Sequence, residues 1–501
     1  MNITKVSREI RKWIALYLGA VSCIVIPLYM KHGYIKLIYW KAHAYLVLAV
    51  PAVVIAAAAA AVDVIASIRA RGPEREAVED SKNPGRKLRI RESDISVIIL
   101  IMIALWSLFS TSRSLAPDLS LMGTIGWSVG SLMTTILVLS TIIVSRHIDF
   151  RSYYLLPVMA VNVFINAFAL IQSARIDLFG LLGNIAKKYF YTYLSTIGHM
   201  NSYSGFLCLV LPLFWGAFVS CKDRATEWIY GTFAALGFMG IIVADTDSAY
   251  AGIGVCTIFI LLYIFGSEQY VQRSSVLLVL YGLSLLIFRY LPVFAKKRAR
   301  FKGVAKLMIG RPVAEIICIG GILLYFFGWK LISGKRGKYV LILLESMILL
   351  VFAGFAVHTI THFSDKWGTN RGWIWRVGWA YYLKLPLSRK LTGVGPEMLM
   401  TVYTEIRAAS GKNVVSAHCE PLQVLLTQGI VGLGLYIVFW GYLLGLFIKK
   451  KIWKQNTAVF FFPLAAYWGQ SLFCSVYPVT AVVFSFAAGM YLRFAETSDG
   501  S

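Results

Sequence analysis

The chain has 501 residues, of which 58% are hydrophobic and 15% charged, and its formal net charge is +25. This apolar content excludes a soluble domain and predicts an all-α, polytopic membrane helix bundle, because uncharged stretches of spanning length recur and the alternation of barrel strands is missing. The seven cysteines show neither a disulfide framework nor the spacing of metal ligands.

About 12–14 transmembrane helices are predicted in a single integral membrane domain that covers residues 1–501, each near the roughly 20 residues that a bilayer requires. No cleavable signal is expected, since a basic segment precedes a first helix that many others follow. In chain order the helices are predicted near 13–30, 44–66, 95–110, 121–145, 152–173, 203–220, 229–244, 248–266, 274–293, 313–331, 338–357, 421–448, 457–474 and 477–493.

The distribution of Lys and Arg predicts how the bundle is oriented. The charged loop 67–94 and the basic segment 449–454 are expected in the cytoplasm, as are both termini. Alternation of the helices then places the large loop 358–420 outside. This loop interrupts the apolar runs for some sixty residues, and it carries the residues best suited to chemistry.

The loop 295–312 departs from the charge rule, because it is rich in Lys and Arg although counting helices from either terminus places it outside. A miscounted helix would explain it. We favour an external basic patch that binds a phosphate-bearing lipid. The candidate ligands in this loop are Lys297, Arg298, Arg300 and Arg311.

Within the large loop, the segment Arg371–Leu383 predicts a short helix at the membrane interface, since Trp and Tyr rings favour that region. An interfacial anchor alone explains the aromatic rings. It does not explain Arg371 and Arg376, whose guanidinium groups suit bidentate contacts with phosphate. Pro386 is expected to end the helix, and Gly393–Gly395 to form a tight turn.

His418 lies at the end of the same loop, just before an apolar helix, and Glu420 follows two residues later. A neutral imidazole can accept a proton from a sugar hydroxyl near pH 7. A histidine that merely packs against the next helix is the alternative, and on the residue alone it is the more common case. Position favours catalysis, because a histidine base and the arginines together suit an anionic, lipid-linked substrate.

Two other polar groups are predicted on the outside. His199 and Asn201 precede a helix, where they could bond sugar hydroxyls, although capping of that helix by Asn201 or its neighbour is the simpler explanation. Asp245 and Asp247 lie in a turn, where they are either acceptors for a glycan or ordinary turn residues.

Glu345 lies inside a predicted helix, where an acid is costly and is expected to be functional or paired; Arg289 is one possible partner. No phosphate-binding glycine loop, metal motif or pair of catalytic carboxylates stands out, which argues against a nucleotide-driven pump and against metal-dependent glycosyltransferases. We therefore expect no cofactor, no metal and no nucleic-acid partner.

Three segments of the chain resemble the O-antigen ligase and O-antigen polymerase superfamily of polytopic cell-envelope glycosyltransferases. Together they cover the membrane body from about residue 195 onward, and the third is the most specific. They are Gly198-His-Met-Asn201-Ser-Tyr203; Arg371-Gly-Trp-Ile-Trp375 followed by Pro386-Leu387 and Gly393-Val-Gly395-Pro396; and Ala417-His418-Cys-Glu-Pro-Leu422-Gln423 followed by Gln428-Gly429.

The resemblance implies a metal-independent, inverting transfer at the outer face of the bacterial cytoplasmic membrane. A glycan would leave an undecaprenyl diphosphate carrier and join a hydroxyl of a glycan or lipid acceptor. By match, His418 would be the base and Arg371 would steady the diphosphate. The chain departs from the family at Cys419, where asparagine is usual, and at Pro421, where an aromatic residue is usual.

Two other classes remain open from the sequence. A flippase or exporter of lipid-linked glycans is also many-helixed and basic, and it should show charged residues along a central channel. A peptidoglycan-type polymerase of related fold would need an acidic catalytic residue in an external loop, for which Asp365 and Glu397 are the candidates.

Overall fold

The predicted all-α membrane bundle is confirmed. The computed structural model describes residues 3–82, 92–124, 126–183, 185–264, 267–333, 361–402, 416–452 and 455–497, with Thr404 and scattered positions between 337 and 357. Within these ranges eleven helices are long and apolar enough to cross a membrane, and a further apolar helix, Ser131–His147, is shorter.

The helices connect through short turns and one small hairpin. The hairpin pairs β1 (Tyr193–Leu194) with β2 (Gly198–His199) in antiparallel fashion. The longer helices are α1 (Ile3–Ala20), α2 (Leu37–Lys82), α3 (Glu92–Ser112), α4 (Ser131–His147), α5 (Leu155–Ser173), α6 (Met200–Ser220), α7 (Arg224–Ala244), α8 (Asp247–Ile264), α9 (Glu268–Tyr290), α10 (Val313–Ile332), α11 (Trp367–Lys384), α12 (Glu420–Lys449), α13 (Phe462–Ser471) and α14 (Pro478–Thr497). The shorter ones are Val21–Val25, Ile26–Leu28, Pro117–Met122, Ser152–Tyr154, Lys187–Tyr189, Pro292–Phe294, Ala295–Arg298, Gly303–Ile309, Leu387–Thr392 and Asn456–Phe460.

Two of the predicted helices are interrupted in the structure. The stretch 121–145 is divided, because a turn with positive φ at Gly123 and Gly126 separates the short helix Pro117–Met122 from α4, which begins at Ser131. The stretch 457–474 is divided into a 3₁₀ segment and the ten-residue helix α13. The predicted helix 338–357, with Glu345, lies largely outside the described residues.

The predicted loop 67–94 is helical in its first part, since α2 continues without a break to Lys82. Half of residues 67–82 are Ala, Arg or Glu, which have high helix propensity, and the helix continues through Gly72 and Pro73, which ordinarily disfavour one. Residues 83–91 of the predicted loop lie outside the described part of the chain.

Helix α6 forms the centre of the bundle and is buried along almost its whole length. It contacts α7, α8, α9, α13 and α14. A helix that is apolar on every side is stable only when other elements surround it, and the α6 sequence is of this kind. The loop before α6, which carries His199, is therefore anchored to the core.

Helix α12 is kinked at Gly429, where φ is 71° and ψ is −172°. The kink exposes carbonyl groups that a continuous helix would bond internally, and other elements bond them instead. The N–H of Val394 donates to Leu426 O at 3.1 Å, and that of Gly395 donates to Thr427 O at 2.9 Å. Trp106 Nε1 on α3 donates to Gln428 O at 2.9 Å.

Gly393 makes this packing possible. Its φ is 76°, and a Cβ at this position would collide with the backbone of Thr427. The predicted turn at Gly393–Gly395 therefore exists, and it locks the chain after α11 onto the first turns of α12.

The loops that carry the predicted site residues lie at one end of the bundle, which we call the loop end. Lys302 N donates to Asp245 Oδ1 at 3.3 Å, and the Lys297 ammonium lies 5.4 Å from the Tyr191 ring centre. Tyr193 pairs with His199 in the hairpin, and the His199 ring stacks on Tyr477 at 6.3 Å. The loops 295–312 and 361–402 thus share one end.

Thiol labelling tests this arrangement. Single cysteines at Lys302 and Ser388, in a variant without the native cysteines, should both react with a membrane-impermeant maleimide on intact cells. Both positions are exposed at the loop end. Cysteine at the exposed Lys222, which follows α6 at the opposite end, should react only after permeabilisation. Labelling of Lys302→Cys and Ser388→Cys from opposite sides would contradict the structure.

Candidate functional site

Four of the residues predicted from the sequence come together at the loop end, joined by one that was not predicted. Arg371 and His199 are near enough to His418 to act on its charge state. The Asn201 side chain hydrogen-bonds the Tyr477 phenol. We call His199, Asn201, Arg371, His418 and Tyr477 the polar cluster.

Three contacts fix the backbone of His418. Its N–H donates to Ser416 Oγ at 3.2 Å, and Ser416 Oγ lies 2.5 Å from Ser475 Oγ in the loop between α13 and α14. Trp375 Nε1 on α11 donates to Ala417 O at 2.9 Å. The φ of His418 is 48°, a left-handed conformation that is uncommon for histidine and persists only where surrounding contacts hold it.

The His418 imidazole is largely buried, and this determines its charge. Burial lowers the pKa of His418 from 6.5 to about 4, and the charges of Arg371 and His199 act in the same direction. The ring is therefore neutral at pH 7. Its Nδ1 is buried and has no hydrogen-bond partner within the described ranges.

Arg371 is the charged member of the polar cluster. One terminal nitrogen donates to Gly368 O at 3.3 Å within the same helix. The Nε is buried, and none of the described residues accepts its hydrogen bond. Buried polar groups are normally bonded, so the guanidinium has capacity for an acceptor that the described residues do not supply.

His199 and Asn201 are oriented by the start of α6. His199 Nδ1 accepts from Asn201 N at 3.2 Å, so the cap of this helix is His199, and the alternative of capping by Asn201 or its neighbour is wrong. Burial lowers the pKa of His199 to about 4, which keeps this ring neutral as well. The Asn201 side chain is left to bond Tyr477.

Tyr477 is the member that sequence reasoning missed. Its ring is buried between His199 at 6.3 Å and Trp127 at 5.2 Å. The only signal in the sequence is an aromatic residue directly before Pro478, at the predicted start of a helix. That signal is weak, because the contacts that give Tyr477 its place come from residues more than 250 positions away.

Arg376 does not join the polar cluster. It forms a bidentate ion pair with Asp365, at 2.9 and 2.7 Å, on the exposed surface of α11. Five residues rotate a helix by about 140°, so Arg371 and Arg376 face different directions. This geometry favours a surface ion pair over the predicted substrate contact for Arg376.

Two buried carboxyl groups line a cavity of about 230 Å³ beside the polar cluster. Glu420 accepts from Tyr467 Oη at 3.3 Å. Glu397 has a left-handed backbone with φ 62° and accepts from Thr124 Oγ1 at 2.9 Å. Burial raises the pKa of Glu397 to about 7, although hydrogen bonds from Thr124 and the Val129 N–H act to lower it.

In the basic loop, two of the four predicted ligands face the protein. Lys297 is 1% exposed and lies between Tyr191 and Phe301, and burial lowers its pKa to about 8. Arg298 donates to Phe288 O at 2.9 Å and to Arg289 O. These contacts favour a role in holding the loop for both residues.

The other two basic ligands are exposed. Arg300 lies over the Tyr191 ring at 5.0 Å, and Arg311 donates to Tyr290 Oη at 3.0 Å. Their guanidinium groups therefore remain near the surface of the loop end, on aromatic supports.

The acids near this loop also have partners. Asp245 and Asp247 accept from the backbone N–H groups of Lys302, at 3.3 Å, and Val304, at 2.9 Å. This supports the interpretation of both aspartates as turn residues. Arg289, a possible partner for Glu345, instead bonds the Glu315 carboxylate.

No protein-family model matches the chain, and no curated protein matches its sequence. Within the described ranges, no group of three His, Cys, Asp or Glu side chains lies close enough to hold a metal ion. The geometry of the polar cluster and the cavity is therefore the basis on which we infer function.

The raised pKa of Glu397 predicts how stability depends on pH. Its folded pKa, about 7, exceeds the ordinary 4.5, so the native state binds the proton more tightly than the unfolded chain. Stability should therefore fall as the pH rises from about 4.5 through about 7. Glu397→Gln should flatten this fall, and above pH 7 it should unfold at a higher temperature than the wild type.

Thermal unfolding of the purified protein, followed by tryptophan fluorescence at several pH values, measures this effect. Glu268→Gln, at an exposed position, is the matched control and should keep the wild-type slope. An unchanged slope in Glu397→Gln would contradict the assignment of this titration to Glu397.

Proposed function

We propose that the protein is a cell-envelope glycosyltransferase. It transfers or polymerises a glycan from a polyprenyl diphosphate carrier, undecaprenyl diphosphate in a bacterium, onto an acceptor hydroxyl at the outer face of the cytoplasmic membrane. The bundle is a polytopic membrane protein, which fits a lipid-linked donor. No metal takes part in the proposed reaction.

The proposal rests chiefly on one observation: two buried nitrogen atoms in the polar cluster, His418 Nδ1 and Arg371 Nε, have no partner among the described residues. A buried polar group without a partner costs about 1–3 kcal/mol. A substrate that offers a hydroxyl to His418 and a phosphate oxygen to Arg371 would remove both costs. The two groups also differ in chemistry, one being a base and the other a fixed positive charge.

In the proposed reaction, the neutral His418 imidazole accepts the proton of the acceptor hydroxyl as that oxygen attacks the anomeric carbon of the donor. The bond between this carbon and the diphosphate oxygen breaks, and the diphosphate leaves with the bonding electrons. Arg371 stabilises the charge on the leaving group. A hydrogen-bond donor that is already in place is most effective in a site with little water. A single displacement of this kind inverts the anomeric configuration.

Substrate binding would also adjust the base. Burial and the charge of Arg371 hold the pKa of His418 at about 4, which makes the imidazole a weak base. A bound diphosphate places negative charge beside the ring and offsets Arg371, and both effects raise the pKa of His418. The donor would therefore strengthen the base that the reaction needs.

Arg300 and Arg311 are suited to attract the donor, because exposed cations at the loop end raise the local concentration of anions. Asn201 and Tyr477 would orient the sugar, since each has a polar group within the cluster. His199 would support them by stacking and by capping α6.

A second candidate is the peptidoglycan-type polymerase, in which an acid does the proton transfer. It is favoured by Glu397, a buried carboxyl group that lines the cavity and whose pKa is about 7. The other acid considered for this role, Asp365, is exposed and paired with Arg376. A central channel for a flippase is not favoured, because α6 fills the middle of the described bundle.

Substitutions in the polar cluster should abolish transfer while the fold survives. His418→Ala should lower the rate about 10²–10⁴-fold, the usual contribution of a general base. Arg371→Lys should lower it about 10²–10³-fold, because the charge stays and the planar fork is lost. The measurement is transfer from a polyprenyl diphosphate-linked glycan by purified protein in detergent with EDTA present.

Arg376→Lys is the matched control on the same helix. It should retain near wild-type transfer, because an exposed ion pair contributes about 0–1 kcal/mol. Near-normal transfer by both His418→Ala and Arg371→Lys would contradict the proposed site. A loss confined to Glu397→Gln, or a requirement for a divalent metal, would favour the peptidoglycan-type alternative.

A further inference from the structure

The cavity beside the polar cluster lies within the membrane bundle, between five helices. Its walls include Leu100 of α3, Leu137 of α4, Phe439 of α12 and Phe484 of α14. Its volume of about 230 Å³ exceeds that of an apolar cavity of roughly 150 Å³ that binds benzene. This space can therefore hold a segment of a hydrocarbon chain.

The two ends of the cavity differ in chemistry. Along α4 and α14 the walls are mostly aliphatic and aromatic, with the hydroxyl groups of Thr134, Thr141 and Ser485 among them. Near the polar cluster stand the carboxyl groups of Glu397 and Glu420 and the amide of Gln423. The Gln423 Oε1 is buried, and no described residue donates to it. The groups at this end are thus mainly acceptors of hydrogen bonds.

An end rich in acceptors selects among ligands. A phosphate or diphosphate group brings negative charge, which burial among apolar walls disfavours and which the ionised form of either acid repels. A hydroxyl group brings a proton that Glu420 or Gln423 can accept. The diphosphate and the cavity ligand are therefore expected on different sides of His418, with the diphosphate near Arg371.

Glu420 is also close to the base along the chain. It is the first residue of α12, two residues after His418, and the contacts that fix the start of this helix fix the backbone that carries both residues. A hydroxyl held at Glu420 would consequently be near the imidazole.

We propose that the cavity binds the acceptor, and that this acceptor is a neutral alcohol with a hydrocarbon chain. Its chain fills the apolar part of the cavity, and its hydroxyl donates to Glu420 or Gln423 before His418 takes the proton. This inference deepens the proposed transferase function and rests on it for the chemical step, whereas binding of the alcohol can be measured alone.

A photoreactive dodecanol, with a diazirine in its chain, tests the binding step in lipid nanodiscs without donor. Irradiation should attach it to residues of the cavity wall, located by mass spectrometry. Unlabelled dodecanol should reduce this labelling at least about fivefold. Dodecyl methyl ether, which has no hydroxyl to donate, and dodecyl phosphate, which is anionic, should compete far more weakly.

Variants provide an independent comparison. Ala488→Phe fills the cavity and should reduce labelling at least about fivefold, whereas Ile437→Phe, on the exposed face of α12, should not. Equal competition by the methyl ether would overturn the role of the hydroxyl. Equal competition by dodecyl phosphate would show that the acidic end of the cavity does not discriminate against anions. It would overturn the assignment of the cavity to a neutral alcohol acceptor.

A transfer assay with dodecanol separates this inference from the proposed function. Formation of the dodecyl glycoside from the lipid-linked donor supports both. Selective labelling without any glycosyl transfer overturns the acceptor role. Transfer to a different acceptor while dodecanol neither labels nor reacts overturns the cavity inference alone and leaves the transferase intact.

Discussion

The contact between the Gly393–Gly395 turn and the kinked start of α12 is the constraint on which the site depends. The kink at Gly429 releases carbonyl groups, and the turn supplies the N–H donors that bond them. Because buried backbone groups must be bonded, neither feature is stable without the other. The hydrogen bonds between the turn and the kink fix the first turns of α12. They thereby fix the position of His418 relative to α11.

Burial then sets the charges of the groups held in this way. It disfavours ionised forms, so His199 and His418 are neutral at pH 7, and the pKa of Glu397 rises to about 7. Arg371 keeps its charge. A site with one fixed cation and several neutral, buried polar groups is suited to an anionic substrate such as a diphosphate, whose negative charge departs with the leaving group.

Sequence patterns predicted most of the helices and identified four residues of the polar cluster as candidates. Both are local properties of the sequence, since they depend on long apolar runs and on short motifs. Local patterns did not reveal that Arg376 pairs with Asp365, that Arg298 bonds carbonyls in the last turn of α9, or that Tyr477 joins His199. These outcomes depend on packing between segments distant in sequence. The extension of α2 is a different kind of error: the charged sequence of residues 67–82 suggested a loop, and the structure has a helix there.

The pH dependence of kcat/KM for glycan transfer tests the central claim most directly, because this ratio reports the ionisation of the free enzyme. It should be measured in the wild type and in Glu397→Gln, which lacks the acid that titrates near pH 7. If buried, neutral His418 is the base, Glu397→Gln should keep its rate from about pH 8 to about pH 5.5 and lose it with a midpoint near 4. A midpoint near 6.5, the ordinary value for histidine, or no transfer at any pH, would contradict the account.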